Sequence, residues 1–204
     1  QDWYQQSEDF EQSYGVTGAI MLSNYANNIC QDIPMTALNE EGYICDGSEL
    51  TAFRMGGSSA ALIGTGCVSA FNAFQALGEP QEFGDIIMAA EAQQTVPGFM
   101  DQGPMAVSML STCSMLDSMG FHAKAVRPDF ILDARESFLE EEAVAIIGTA
   151  KKSGKTEFHT LKREKSGKIC CMEDKSYELE SLISKSRKEP QIMVKVSKKG
   201  KGTA

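Results

Sequence analysis

The spacing of apolar residues changes period at Gly120, and no other feature of the chain narrows its fold as much. Before that point the repeat is helical. Residues 67–77 carry Ala70, Phe71, Phe74 and Leu77 at helical spacing, and Gly78 supplies a left-handed stop. A second helix follows over residues 85–93. In the third, Pro104 suits the first turn, Ala106, Met109, Leu110, Cys113 and Leu116 form the buried stripe, and Gly120 ends it. After Gly120 the repeat moves towards two: residues 121–126, 143–147, 157–164, 168–173 and 191–196 read as strands, with a short helix over 177–184. Helices followed by strands predict segregated layers. The expected class is α+β, with N-terminal helices packed on a C-terminal antiparallel sheet.

A chain of 204 residues buries roughly 70% of its unfolded surface, enough for one core without disulfides or metals. The expected division is an N-terminal extension over residues 1–57, packed on a main domain over 58–204. Within the extension, residues 19–28 have helical character. Residues 43–45 and 50–53 flank Asp46-Gly47-Ser48, which reads as a hairpin with a glycine turn.

Charge is divided along the chain. Residues 1–142 hold 21 acidic and 4 basic side chains, net −17, whereas residues 143–204 hold 7 and 15, net +8. The acidic part argues against a nucleic-acid partner. The lysines of the basic part lack interleaved aromatics and read as a solvated face. The longest uncharged run, residues 55–78, is broken by glycines and serines, so no membrane span is expected. Nor does a basic segment followed by an apolar one stand at Gln1.

Six cysteines and two histidines show no CxxC pair, so tetrahedral zinc spacings fail and neither metal nor cofactor is expected. Cys113 sits in a helical apolar pattern, where a buried free thiol is the common state, which points to a reducing, cytoplasmic compartment. Composition is silent on oligomeric state.

One constellation carries chemistry. If Ser166-Gly167 is a two-residue hairpin turn, Leu161 faces Met172 and His159 faces Asp174, with Cβ atoms about 4.5 to 5.5 Å apart. In that register Cys170, not Cys171, shares the side of His159. A carboxylate on one ring nitrogen fixes the tautomer and leaves the other to face a nucleophile. The candidate nucleophile is Cys67, because a helix N-terminus and a neighbouring imidazolium both stabilise a thiolate. His122 is the competing base, although its ordinary reading is a surface strand position.

Gly66-Cys67 opening a helix with Phe71-Asn72-Ala73 and Leu77-Gly78, a helix ending at Gly120 that runs into a strand, Phe158-His159 on a strand, and Asp174 one hairpin later together resemble the papain-like cysteine peptidases. Within them the order and spacing look most like the bacterial double-glycine leader peptidases and their diverged relatives, over about residues 58–197. The resemblance implies a papain-like fold, Cys67 as nucleophile, His159 as general base and acid, Asp174 as orienting group, and a peptide or protein substrate. The implied activity is thiol-dependent hydrolysis of a peptide or amide bond. The glutamine that the family places before its cysteine has no counterpart in residues 61–66. That departure favours the alternative, a catalytically inactive papain-like domain that binds peptides or proteins.

Overall fold

The computed structural model describes residues 18–93, 109–126, 143–150, 156–174 and 192–199. Helix α1, Gly18–Asn28, leads through two short 3-10 turns into a small hairpin of β1, Arg54–Met55, and β2, Ser58–Ser59. Helices α2, Ala60–Ile63, and α3, Thr65–Ala76, follow with Gly64 between them. A Cβ on Gly64 would lie 2.4 Å from the Ala60 carbonyl oxygen, so only glycine lets α2 run directly into α3. Gly78, at φ +72°, ends this run. Helix α4, Phe83–Ala92, and helix α5, Met109–Ser118, complete the helical layer.

The sheet has five antiparallel strands: β3, Phe121–Ala125; β4, Ala143–Ala150; β5, Thr156–Arg163; β6, Ile169–Cys171; and β7, Ile192–Lys198. Their spatial order is β3-β7-β4-β5-β6. The α+β class with a helical layer and an antiparallel sheet is therefore present. The helix expected over 177–184, the positions of Pro104 and Ala106, and residues 127–142 lie outside the described residues.

Strand alternation decides which side chains meet the helices. Across β7, β4 and β5, Val194, Ile146 and Thr160 stand in one row, and Val196, Val144 and Lys162 in the next. This face packs on α3: Thr160 Oγ1 donates to the Ser69 carbonyl at 2.9 Å, and Lys162 Nζ to the Ala76 carbonyl at 2.7 Å. Between the layers Phe74 stacks on Phe121 with centroids 4.2 Å apart, while Phe83 meets Phe53 and Phe71 edge-on. Ala145, Ile147, Leu161 and Cys171, on the opposite face, are buried as well.

The described part of the N-terminal extension belongs to this core. Ile44, Leu50, Phe53 and Met55 lie in the same apolar cluster as Ala70, Phe74 and Ile146. Its polar groups are held by buried amides. Asn72 of α3 accepts the Ile44 N–H at 2.8 Å and donates to the Ile44 carbonyl at 2.9 Å; Asn28 does the same for Arg54 at 2.8 and 2.7 Å. The expected boundary at residue 57 falls inside the β1–β2 hairpin.

The hairpin expected around Asp46-Gly47-Ser48 is not formed. Asp46 instead caps a 3-10 turn, Gly47–Glu49, by accepting the Ser48 N–H at 3.0 Å, and Ile44 bridges to Leu38. An aspartate that can bond the backbone two residues ahead stabilises the tight turn in place of a strand reversal.

Candidate functional site

Cys67 is the third residue of α3, as its spacing implies, and it faces the interior. It is 2% exposed, and its sulfur lies 4.0 Å from Met55 Sδ. Burial, and after it the Glu91 carboxylate, push its pKa well above the ordinary thiol range. Both influences oppose a thiolate. The residue that α3 opens to solvent in its first turn is Thr65.

The imidazole of His159 lies on the other side of the sheet from this helix. Phe158, Thr160 and Lys162 are the β5 side chains that reach α3; a Cβ on Gly66 would lie 3.9 Å from the Phe158 ring. Alternation along β5 therefore sends His159 and Leu161 to the opposite face. Cys67 and His159 are not brought together, because one points from α3 towards β1 and α4 while the other points away from α3. His122 is exposed on β3, three strands away from β5 in the sheet order.

The β5–β6 hairpin differs by one residue from the register read in the sequence. Leu161 faces Cys171 and Lys162 faces Cys170. The Met172 N–H donates to the Thr160 carbonyl at 2.8 Å, and the Glu164 N–H to that of Lys168 at 2.8 Å. The loop thus has three residues, Lys165-Ser166-Gly167, with Gly167 at φ +85°. That is a turn closed by a left-handed residue, not a two-residue reversal. A slip of one residue exchanges the two faces of β6. Cys171, not Cys170, consequently shares the side of His159. Glu173 reaches the position across from His159, and Asp174 is exposed beyond it.

The result is a cluster of three donors. Cys171 Sγ lies 2.8 Å from Glu173 Oε2 and 3.9 Å from His159 Nδ1, and the three donor atoms all lie within 4.8 Å of one another. Glu173 is held in place from the protein side. Its two oxygens accept the Thr160 N–H at 2.9 and 3.1 Å, and Oε1 also accepts from Asn72 Nδ2 at 3.2 Å. Burial, then the charge and hydrogen bond of Glu173, raise the pKa of Cys171. The backbone N–H groups of Asp174 and Glu173, which bond to the same sulfur, work in the opposite direction. Glu173 and Cys171 were missed in the sequence because only the three-residue loop turns them towards His159.

A second polar feature surrounds Glu91 of α4, which is 1% exposed. Its Oε1 accepts from Asn24 Nδ2 at 3.0 Å and from the Gly56 N–H at 3.1 Å. Burial raises its pKa to about 7, and these two hydrogen bonds partly offset that rise. This group fastens α1, the β1–β2 turn and α4 together beneath Cys67.

Between α1 and α4 a groove of about 660 Å³ is lined by Tyr25, Asp32, Phe53, Phe71, Glu82 and Asp85 among others, with no basic side chain among the described residues of its lining. Asp85, by its charge and by accepting the Tyr25 hydroxyl, raises the pKa of that phenol. Ile29, at the rim, is 58% exposed.

Compared with known proteins, the chain matches no family model, no curated sequence and no solved structure. No helix among the described residues is long and apolar enough to cross a membrane.

Proposed function

We propose that this chain is a diverged papain-like domain that no longer hydrolyses peptides through Cys67 and that binds a basic peptide segment. The observation that carries the reading is the setting of Cys67. A nucleophilic thiol needs access, a base within hydrogen-bond reach and an environment that favours the thiolate. Cys67 is buried, lies against Met55 and feels the charge of the Glu91 carboxylate, while strand alternation along β5 turns His159 away from α3. The hydrolase reading would require α3 to rotate until residue 67 took the place of Thr65, which would carry Phe71 away from Phe83.

The groove between α1 and α4 supports binding. Asp32, Glu82 and Asp85 supply negative charge around a groove whose lining also includes the exposed Ile29 and the largely buried edges of Phe53 and Phe71, and the part of the chain that builds it is strongly acidic. Such a site attracts lysine or arginine side chains, whose apolar stems can lie along exposed apolar surface such as Ile29.

Fluorescence anisotropy of a labelled lysine-rich peptide, beside an acidic peptide of equal length, tests this directly. The expected result is saturable binding of the basic peptide, weakened by salt and by Asp32→Lys with Glu82→Lys, with the peptide intact by mass spectrometry. Equal binding of the two peptides would overturn the binding reading. Cleavage abolished by Cys67→Ala would restore the hydrolase.

A further inference from the structure

We propose that His159, Cys171 and Glu173 form a binding site for a zinc ion, with a fourth coordination position left for water or a small ligand donor. The inference is independent of the peptide-binding reading. The donor set is one imidazole, one thiol and one carboxylate, the mixture of nitrogen, sulfur and oxygen ligands that suits this borderline cation. A thiolate and a carboxylate together balance its two positive charges.

The distances fit the ion. Zinc–sulfur and zinc–nitrogen bonds of about 2.3 and 2.0 Å in a tetrahedron separate the ligand atoms by about 3.5 Å. The observed separations from Cys171 Sγ, 2.8 Å to Glu173 Oε2 and 3.9 Å to His159 Nδ1, straddle that value, and all three donor atoms lie within 4.8 Å of one another, so side-chain rotation would have to bring them to the tetrahedral spacing. On binding, the sulfur forms its bond to the metal and the thiol proton, now directed at Glu173, leaves to solvent.

The surroundings are arranged as a metal site requires. The Thr160 N–H and the Asn72 amide orient the Glu173 carboxylate, as the partners of a metal-binding carboxylate do. Through Asn72 the site also connects to α3 and to the backbone of Ile44. A bound ion would therefore tie the end of β6 to β5 and, through one side chain, to the helical layer. The CxxC criterion misses such a site because its ligands come from adjacent strands of a hairpin, twelve and two residues apart.

The test is titration of the protein with cobalt chloride and zinc chloride in a Cys30→Ser/Cys45→Ser background, which removes the two exposed thiols. The expected result is one cobalt ion per chain with a thiolate-to-cobalt absorption band that zinc abolishes. Cys171→Ser should remove the band, and His159→Ala, at a half-buried position and with its fold checked by circular dichroism, should weaken binding at least about 10-fold. If Cys171→Ser fails to fold, the His159→Ala measurement decides alone. Absence of the band, or binding unchanged in His159→Ala, would overturn the proposal.

Discussion

The carboxylate of Glu173 accepts the backbone N–H of Thr160 through both oxygens, at 2.9 and 3.1 Å, where β6 leaves the sheet. Beyond Cys171 the strand no longer presents a carbonyl to this donor, since the Met172 carbonyl accepts instead from Asn39 Nδ2 at 3.3 Å. A side chain thus replaces a strand in the ladder. Because Asn72 holds the same carboxylate, the end of the hairpin and the helical layer share one anchor. In metal-free protein, Glu173→Ala should lower unfolding free energy by about 2 kcal/mol, the cost of leaving partly buried donors without a partner. Glu173→Gln, which keeps one acceptor oxygen, should cost about half as much. Urea denaturation of the three proteins checks the order; equal stability of Glu173→Ala and wild type would show that the carboxylate is dispensable.

Asn72 is fully buried and satisfies both backbone groups of Ile44. Asn72→Ala should therefore cost about 3 kcal/mol, because it strands an N–H and a carbonyl and leaves a small cavity. The loss should be visible locally as faster hydrogen exchange at the Ile44 amide. Unchanged protection there would contradict the anchoring role given to this side chain.

The buried carboxylate of Glu91 makes stability depend on pH in a defined direction. Its folded pKa of about 7 lies above the ordinary 4.5, so the folded state holds a proton that the unfolded chain has released. The neutral form is accommodated at low pH, and stability falls as pH rises from about 4.5 through 7, by about 3 kcal/mol in total. Glu91→Gln keeps an acceptor for Asn24 and Gly56 but cannot ionise. Relative to wild type it should gain stability steadily between pH 5 and pH 8 in denaturant titrations. A difference that does not change with pH would exclude the buried titration.

Gly167 closes the β5–β6 loop at φ +85°, a conformation that costs a residue with a Cβ about 1 kcal/mol. Gly167→Ala should destabilise by that amount although no atom lies within 4 Å of the added carbon. Gly167→Asn, with a residue that tolerates this region, should cost less. Equal effects of the two substitutions would indicate a different loop.

Helix limits and strand positions were legible because strong local signals mark them. Gly78 and Gly120 end their helices in the left-handed conformation, and the apolar stripe of Phe71 and Phe74 faces the core as its period implies. The same stripe contained the answer for Cys67: it stands one turn before Phe71, so it shares the buried side of α3. The hairpin register was not legible. Lys165-Ser166-Gly167-Lys168 accommodates a two-residue or a three-residue loop, and a glycine in the third place serves either. Everything about the site that depends on strand parity, from Cys171 to Glu173, turned on that single residue.

The most direct measurement on the central claim is alkylation of all six cysteines by iodoacetamide between pH 6 and pH 9, followed by peptide mapping. Exposed Cys30 and Cys45 should label first, and Cys67 should stay slow across the range and indifferent to His159→Ala. Rapid labelling of Cys67 at pH 6 that is lost in His159→Ala would contradict the account, because it would mean that the thiol and the imidazole meet after all.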